Sequence, residues 1–73
     1  MSPEKMVMMA NQIATFFATQ PGTDGAERVA DHLNDLGEPR MRAQLLDHAG
    51  AGGAGLHPLV MQAMVHVKRP AEA

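Results

Sequence analysis

Cysteine is absent from this 73-residue chain, and so are tryptophan and tyrosine. Without cysteine there is no disulfide, no thiolate zinc site and no iron–sulfur ligation of the usual kind. The aromatic complement is two adjacent residues, Phe16 and Phe17. A basic excess is missing as well: six Lys and Arg face eight Asp and Glu, a net charge of −2. That balance argues against an electrostatic grip on nucleic acid or on an anionic membrane surface. No apolar run nears the roughly eighteen residues of a membrane span. Met1-Ser2-Pro3-Glu4 is too polar and acidic to open a signal peptide. A cytoplasmic location is therefore the expectation. Neither a strand pattern nor an internal repeat is evident.

Methionine and helix punctuation are what the chain has in quantity. Seven methionines supply the volume that aromatics do not. Methionine fills irregular gaps in cores and also lines adaptable binding surfaces. Met9, Met41 and Met64 are assigned to the core, and Met6, Met8 and Met61 in part to partner contact. Residues 1–70 are expected to form a single helical domain, with 71–73 as a frayed tail. So short a chain buries little apolar surface. With disulfides excluded and the four histidines in no His-x-x-x-His spacing, a protein partner is the remaining source of stability.

The pattern predicts an all-α fold, a small bundle of three to four short helices. Ser2-Pro3-Glu4 is a helix opening with a hydroxyl cap, a proline and an acid in the first turn. Met6, Met9, Ala10, Ile13, Phe16 and Phe17 then draw one apolar face, so helix one is expected from Pro3 to Thr19, before the Pro21-Gly22 turn. Asp24-Gly25-Ala26-Glu27 reads as a capping box. It opens a second helix that buries Val29, Ala30, Leu33 and Leu36 and turns Glu27, Arg28, Asp31, Asn34 and Asp35 outward. Gly37 suits a left-handed helix end, and Pro39 both pushes Glu38 out of helical geometry and starts a third helix. The third helix carries Met41, Leu45, Leu46 and Ala49. Gly50 to Gly55 should end it in a flexible link. A fourth helix follows Leu56-His57-Pro58 and runs through Val67, with Leu56 and Met61 as a hydrophobic staple. Lys68 and Arg69 favour its C-terminus, and Pro70 stops it.

Gly50-Ala51-Gly52-Gly53-Ala54-Gly55 satisfies G-x-G-x-x-G letter for letter, but a helix precedes it and no βαβ unit fits in the remaining chain. Asp31-His32 and Asp47-His48 are adjacent pairs, which point apart on a helix, and no nucleophile accompanies them. Catalysis by this chain alone is not expected. The sharp corner with Glu38, Arg40 and Arg42 is the candidate docking point. The same two helices also trace the outline of a helix-turn-helix, with Arg40, Arg42 and Gln44 on the second; a small DNA-binding regulator is the alternative reading.

Three segments resemble the delta subunit of the NAD-dependent, molybdenum-containing formate dehydrogenases. They are Met9-Ala10-Asn11-Gln12-Ile13 leading to Phe16-Phe17, Ala30-Asp31-His32 through Glu38-Pro39-Arg40-Met41-Arg42, and Gly53-Ala54-Gly55-Leu56 followed by Pro58-Leu59-Val60. Together they cover nearly the whole chain. The resemblance implies a non-catalytic accessory subunit without cofactor or metal of its own, which stabilises or helps assemble the catalytic alpha subunit. In that family the alpha subunit carries molybdenum–pterin and iron–sulfur clusters, and the beta and gamma subunits carry flavin and further clusters. Glu38, Arg40 and Arg42 are then the expected docking residues, followed by Asn11 and Gln12. Two positions depart from the family pattern. Leu36-Gly37 stands where an aromatic pair is common, and His57 stands where Ser or Asp is expected as a helix cap.

Overall fold

Three helices of this chain open with the same two-residue device, an acceptor side chain followed by proline. The acceptor satisfies a free N–H of the first turn, and proline occupies the position that needs none. The acceptors are chemically different. Ser2 Oγ takes the Lys5 N–H at 3.2 Å, Glu38 Oε1 takes the Arg40 N–H at 3.3 Å, and His57 Nδ1 takes the Leu59 N–H at 2.9 Å. The histidine therefore fills the cap in place of the Ser or Asp expected there.

The computed structural model describes residues 2–36 and 38–70. It is all-helical: α1 is Pro3–Ala18, α2 Gly25–Leu36, α3 Pro39–Gly50 and α4 Pro58–Ala63, the last followed by a 3-10 turn at Met64–His66. Among the described residues there is no strand. The expected left-handed Gly37 and the expected frayed residues 71–73 lie outside the described residues, as does the side chain of Leu36. Glu38 beyond the corner is extended, with φ −55° and ψ 125°, the conformation a following proline imposes.

α2 is the central element and packs on both α1 and α4. The core is Met6, Ala10 and Ala14 of α1, Val29, Ala30 and Leu33 of α2, Met41 and Leu45 of α3, and Val60, Ala63 and Val67 of the C-terminal segment. The alanines at 10, 14, 30 and 63 are fully buried, and the start of α2 at Gly25 faces the Leu59 side chain. A Cβ on Gly25 would stand 3.4 Å from the Leu59 side chain. The Cα radius of gyration, 11.3 Å, matches the roughly 11 Å of a packed chain of this length, so even a thin core gathers all four helices.

Three expectations are corrected. Met6 is fully buried, because it stands in line with Ala10 and Ala14 on the inner face of α1; it is core, not partner contact. Met41 is buried, Met9 and Met64 pack against the core, and Met8 and Met61 stay exposed. Secondly, α4 stops at Ala63, and Val67 is extended with φ −79° and ψ 127°. Val67 is still buried; the helical spacing misled because the chain leaves the helix where Asn34 captures it. Thirdly, the glycine run is held rather than slack. Gly53 N–H donates to His48 O at 2.9 Å and Leu56 N–H to Gly53 O at 2.9 Å. Gly53 is buried at φ +66°, and a Cβ there would collide with Met61 Sδ and come within 3.5 Å of Leu56. The two staple residues thus close over a glycine that has to be a glycine.

Candidate functional site

The chain has only two asparagines, and each uses its carboxamide as a surrogate peptide group. Asn11 Nδ2 donates to Gly55 O at 2.8 Å while its Oδ1 accepts from the His57 N–H at 2.8 Å. Asn34 repeats this with Nδ2 to His66 O at 3.2 Å and the Lys68 N–H to Oδ1 at 3.0 Å. Each amide brackets one apolar residue, Leu56 or Val67, and so fixes one end of the C-terminal segment on α1 or on α2. Sequence reasoning listed Asn34 among outward-facing residues. The signal was there, since asparagine is unfavourable inside a helix unless its side chain has employment.

α3 adds two ties to the same segment. Arg42 Nη1 donates to Lys68 O at 3.0 Å, and its Nε is buried without a partner. Arg69 pairs with Asp47 at 3.2 Å, both well exposed. Of the five expected docking residues, Asn11 and Arg42 therefore hold opposite ends of residues 55–68. Glu38 caps α3. Arg40 is exposed, and among the described residues its guanidinium has no partner. Gln12 is exposed too, one residue around from Asn11. The set does not converge on one spot.

The histidines are engaged separately. His48 Nε2 is 2.8 Å from Ala54 O, while its neighbour Asp47 faces Arg69, so this Asp–His pair is not an oriented dyad. His57 is the α4 cap. His32 lies edge-on to Phe17, centroids 6.0 Å apart at 66°. Among the described residues no group of three or more His, Asp or Glu is placed to hold a metal. Asp24 opens α2 and accepts from Arg28 Nε at 2.9 Å. That hydrogen bond lowers the Asp24 pKa; desolvation opposes it, and the Asp24 N–H and the Arg28 charge add to the lowering. The G-x-G-x-x-G string joins α3 to α4, and the carbonyls of Gly53, Ala54 and Gly55 already have partners within the chain. It is a structural loop.

An exposed apolar feature lies between α1 and α2. Gln12, Ile13, Phe16, Phe17 and His32 line an open hollow of about 370 Å³. Phe16 is 59% exposed, although helical spacing had drawn it onto the same face as Met6. Its ring stands edge-to-face against Phe17, centroids 5.1 Å apart at 84°. The apolar face of α1 is thus wider than the core beneath it.

No helix among the described residues is long and apolar enough to cross a membrane. No curated protein matches the chain. A family model, FdsD, the NADH-dependent formate dehydrogenase delta subunit, matches residues 5–64. That span takes in all four helices except the first two residues of α1. The chain belongs to the delta-subunit family of NADH-dependent formate dehydrogenases and is a subunit of that complex.

Proposed function

We propose that this chain is a non-catalytic accessory subunit that docks on the catalytic alpha subunit of formate dehydrogenase and stabilises it or helps it mature. The observation that carries the reading is the family match over residues 5–64, which contains Asn11, Gln12, Glu38, Arg40 and Arg42. On this reading molybdenum–pterin, iron–sulfur clusters and flavin belong to the alpha, beta and gamma partners, and the complex works in the cytoplasm. Arg40 is the docking residue best supported by its surroundings. It is exposed, and among the described residues it is unpaired, at a corner held by the Glu38 cap, so its planar guanidinium is ready for a partner carboxylate. Among the described residues, replacing it removes no hydrogen bond or ion pair of its side chain.

Arg40→Ala should lower recovery of the chain with the alpha subunit by about tenfold, the loss of one well-placed interface arginine. Recovery and formate activity equal to wild type would remove Arg40 from the interface. The DNA-binding alternative draws less support. The net charge is −2, and Arg42 and Gln44 of the would-be recognition helix are both engaged in interactions of their own. Absence of any mobility shift at low salt, where phosphate contacts are strongest, is the expected outcome.

A further inference from the structure

We propose that Met61 is an oxidation-controlled latch on the link between α3 and α4: a hydroperoxide converts its thioether to the sulfoxide, and the sulfoxide releases the loop around Gly53. The modification site lies within this chain alone and goes beyond the subunit reading.

The thioether stands where a side chain of residue 53 would be. Gly53 is buried at φ +66°, and a Cβ built on it would collide with Met61 Sδ and lie 2.9 Å from Met61 Cε. Leu56 Cδ1 closes the same space at 3.5 Å. Around this covered glycine the link is tied by hydrogen bonds. Gly53 N–H donates to His48 O and Leu56 N–H to Gly53 O, each at 2.9 Å, and the His48 ring meets Ala54 O. Met61 is nonetheless 37% exposed, so the side chain that shields the link is one that a small oxidant reaches. Met8, at 59%, is open to the same oxidant, but among the described residues it belongs neither to the core nor to the side chains packed on it. Met6 and Met41 are buried.

In the reaction a sulfur lone pair attacks one oxygen of the peroxide, the O–O bond breaks and an S–O bond forms. The sulfur gives up two electrons, and the departing oxygen takes them together with the proton of the transferred oxygen and leaves as water. The product is polar and chiral where the thioether was soft and apolar. Its oxygen calls for hydrogen-bond donors, yet the N–H groups of Gly53 and Leu56, which share that space, are already engaged. Nor is there room beside Gly53, where even a Cβ does not fit. Methionine has three rotatable bonds, and Met61 has an exposed side. The sulfoxide therefore turns to water, and Gly53 and Leu56 lose their cover.

The test treats the full chain with dilute hydrogen peroxide and locates the added oxygen by peptide mass mapping. Met8 and Met61 should be oxidised before Met6 and Met41, because exposure governs access. Amide exchange at Gly53 and Leu56 should then quicken by at least about tenfold while the α1 amides keep their protection, the pattern of a local opening. Met8→Leu should respond as wild type does. Met61→Leu keeps an apolar side chain of similar volume and takes no oxygen, so peroxide should leave its Gly53 and Leu56 amides protected. Return of the original exchange pattern after reduction by methionine sulfoxide reductases, one for each sulfoxide epimer, supports the latch. Unchanged exchange in chain oxidised at Met61 overturns it. So does an equal response to peroxide in Met61→Leu, and so does a Met61 that stays reduced while Met6 and Met41 are oxidised. Should Met61→Leu fail to fold, oxidised Met8→Leu decides alone: faster exchange at the two amides supports the latch and unchanged exchange overturns it.

Discussion

His57 Nδ1 receives the Leu59 N–H, and the His57 N–H is itself received by Asn11, so the residue that starts α4 is fixed from both sides. Accepting at Nδ1 places the imidazole proton on Nε2. His57→Ala removes the acceptor and should cost about 0.5–2 kcal/mol, the usual worth of an N-cap. His57→Asp should recover most of it, since a carboxylate serves the same N–H and suits the helix start. Thermal unfolding followed by circular dichroism reads both; for a domain this size about 1 kcal/mol moves the midpoint by roughly 4–8 °C. A second residue-scale effect concerns acid. The Asp24 pKa is depressed, chiefly by the hydrogen bond from Arg28. A carboxylate with a depressed folded pKa adds stability that is present above its unfolded value and is lost as pH falls through the folded one. The contribution therefore disappears only below about pH 4, the ordinary aspartate value. In Arg28→Ala the Asp24 titration, followed by NMR, should move up towards that value. The effect on stability should be small, because Asp24 and Arg28 are both about half exposed and solvent screens the pair.

At the scale of elements, the order of helices was legible because punctuation and periodicity agree. Ser2-Pro3, Gly37 with Pro39, and His57-Pro58 each mark a boundary that apolar spacing also requires. What was not legible depended on contacts distant in sequence. Helical spacing carries α4 on to Val67, and nothing local says that an asparagine 33 residues earlier will bracket it and draw it out straight. The same holds for the glycine run, whose composition suggests slack but whose backbone is tied by His48, Asn11 and its own N–H groups. Asn34→Ala removes two hydrogen bonds to main chain and should cost about 1–2 kcal/mol. Asn34→Asp should be nearly as damaging, since one oxygen still accepts from Lys68 but the other faces the carbonyl of His66. Hydrogen exchange gives the local signature: the Lys68 amide should lose protection in both variants while the α1 amides keep theirs. Equal loss throughout would mean that the clamp has no separate role.

For the whole molecule, the residues expected to dock, Glu38, Arg40 and Arg42 at the corner and Asn11 and Gln12 on α1, differ in how far the chain itself engages them. Asn11 and Arg42 are occupied at opposite ends of the C-terminal segment, whereas Arg40 and Gln12 remain turned to solvent. Residue type and spacing identified polar side chains near corners, but could not say which would be taken up within the chain. The width of the apolar face on α1 carries a related lesson. Met6, Ala10 and Ala14 suffice to meet α2 and α4, and Phe16 is left outside. A small domain that leaves a large aromatic in solvent has the makings of a subunit. The most direct measurement of that claim is to produce the dehydrogenase with and without this chain, and to compare molybdenum content and formate-dependent NAD⁺ reduction. Omission should lower the activity, with metal lost if the chain serves maturation and metal retained if it serves structural support; equal activity and equal metal in the two preparations would contradict the account.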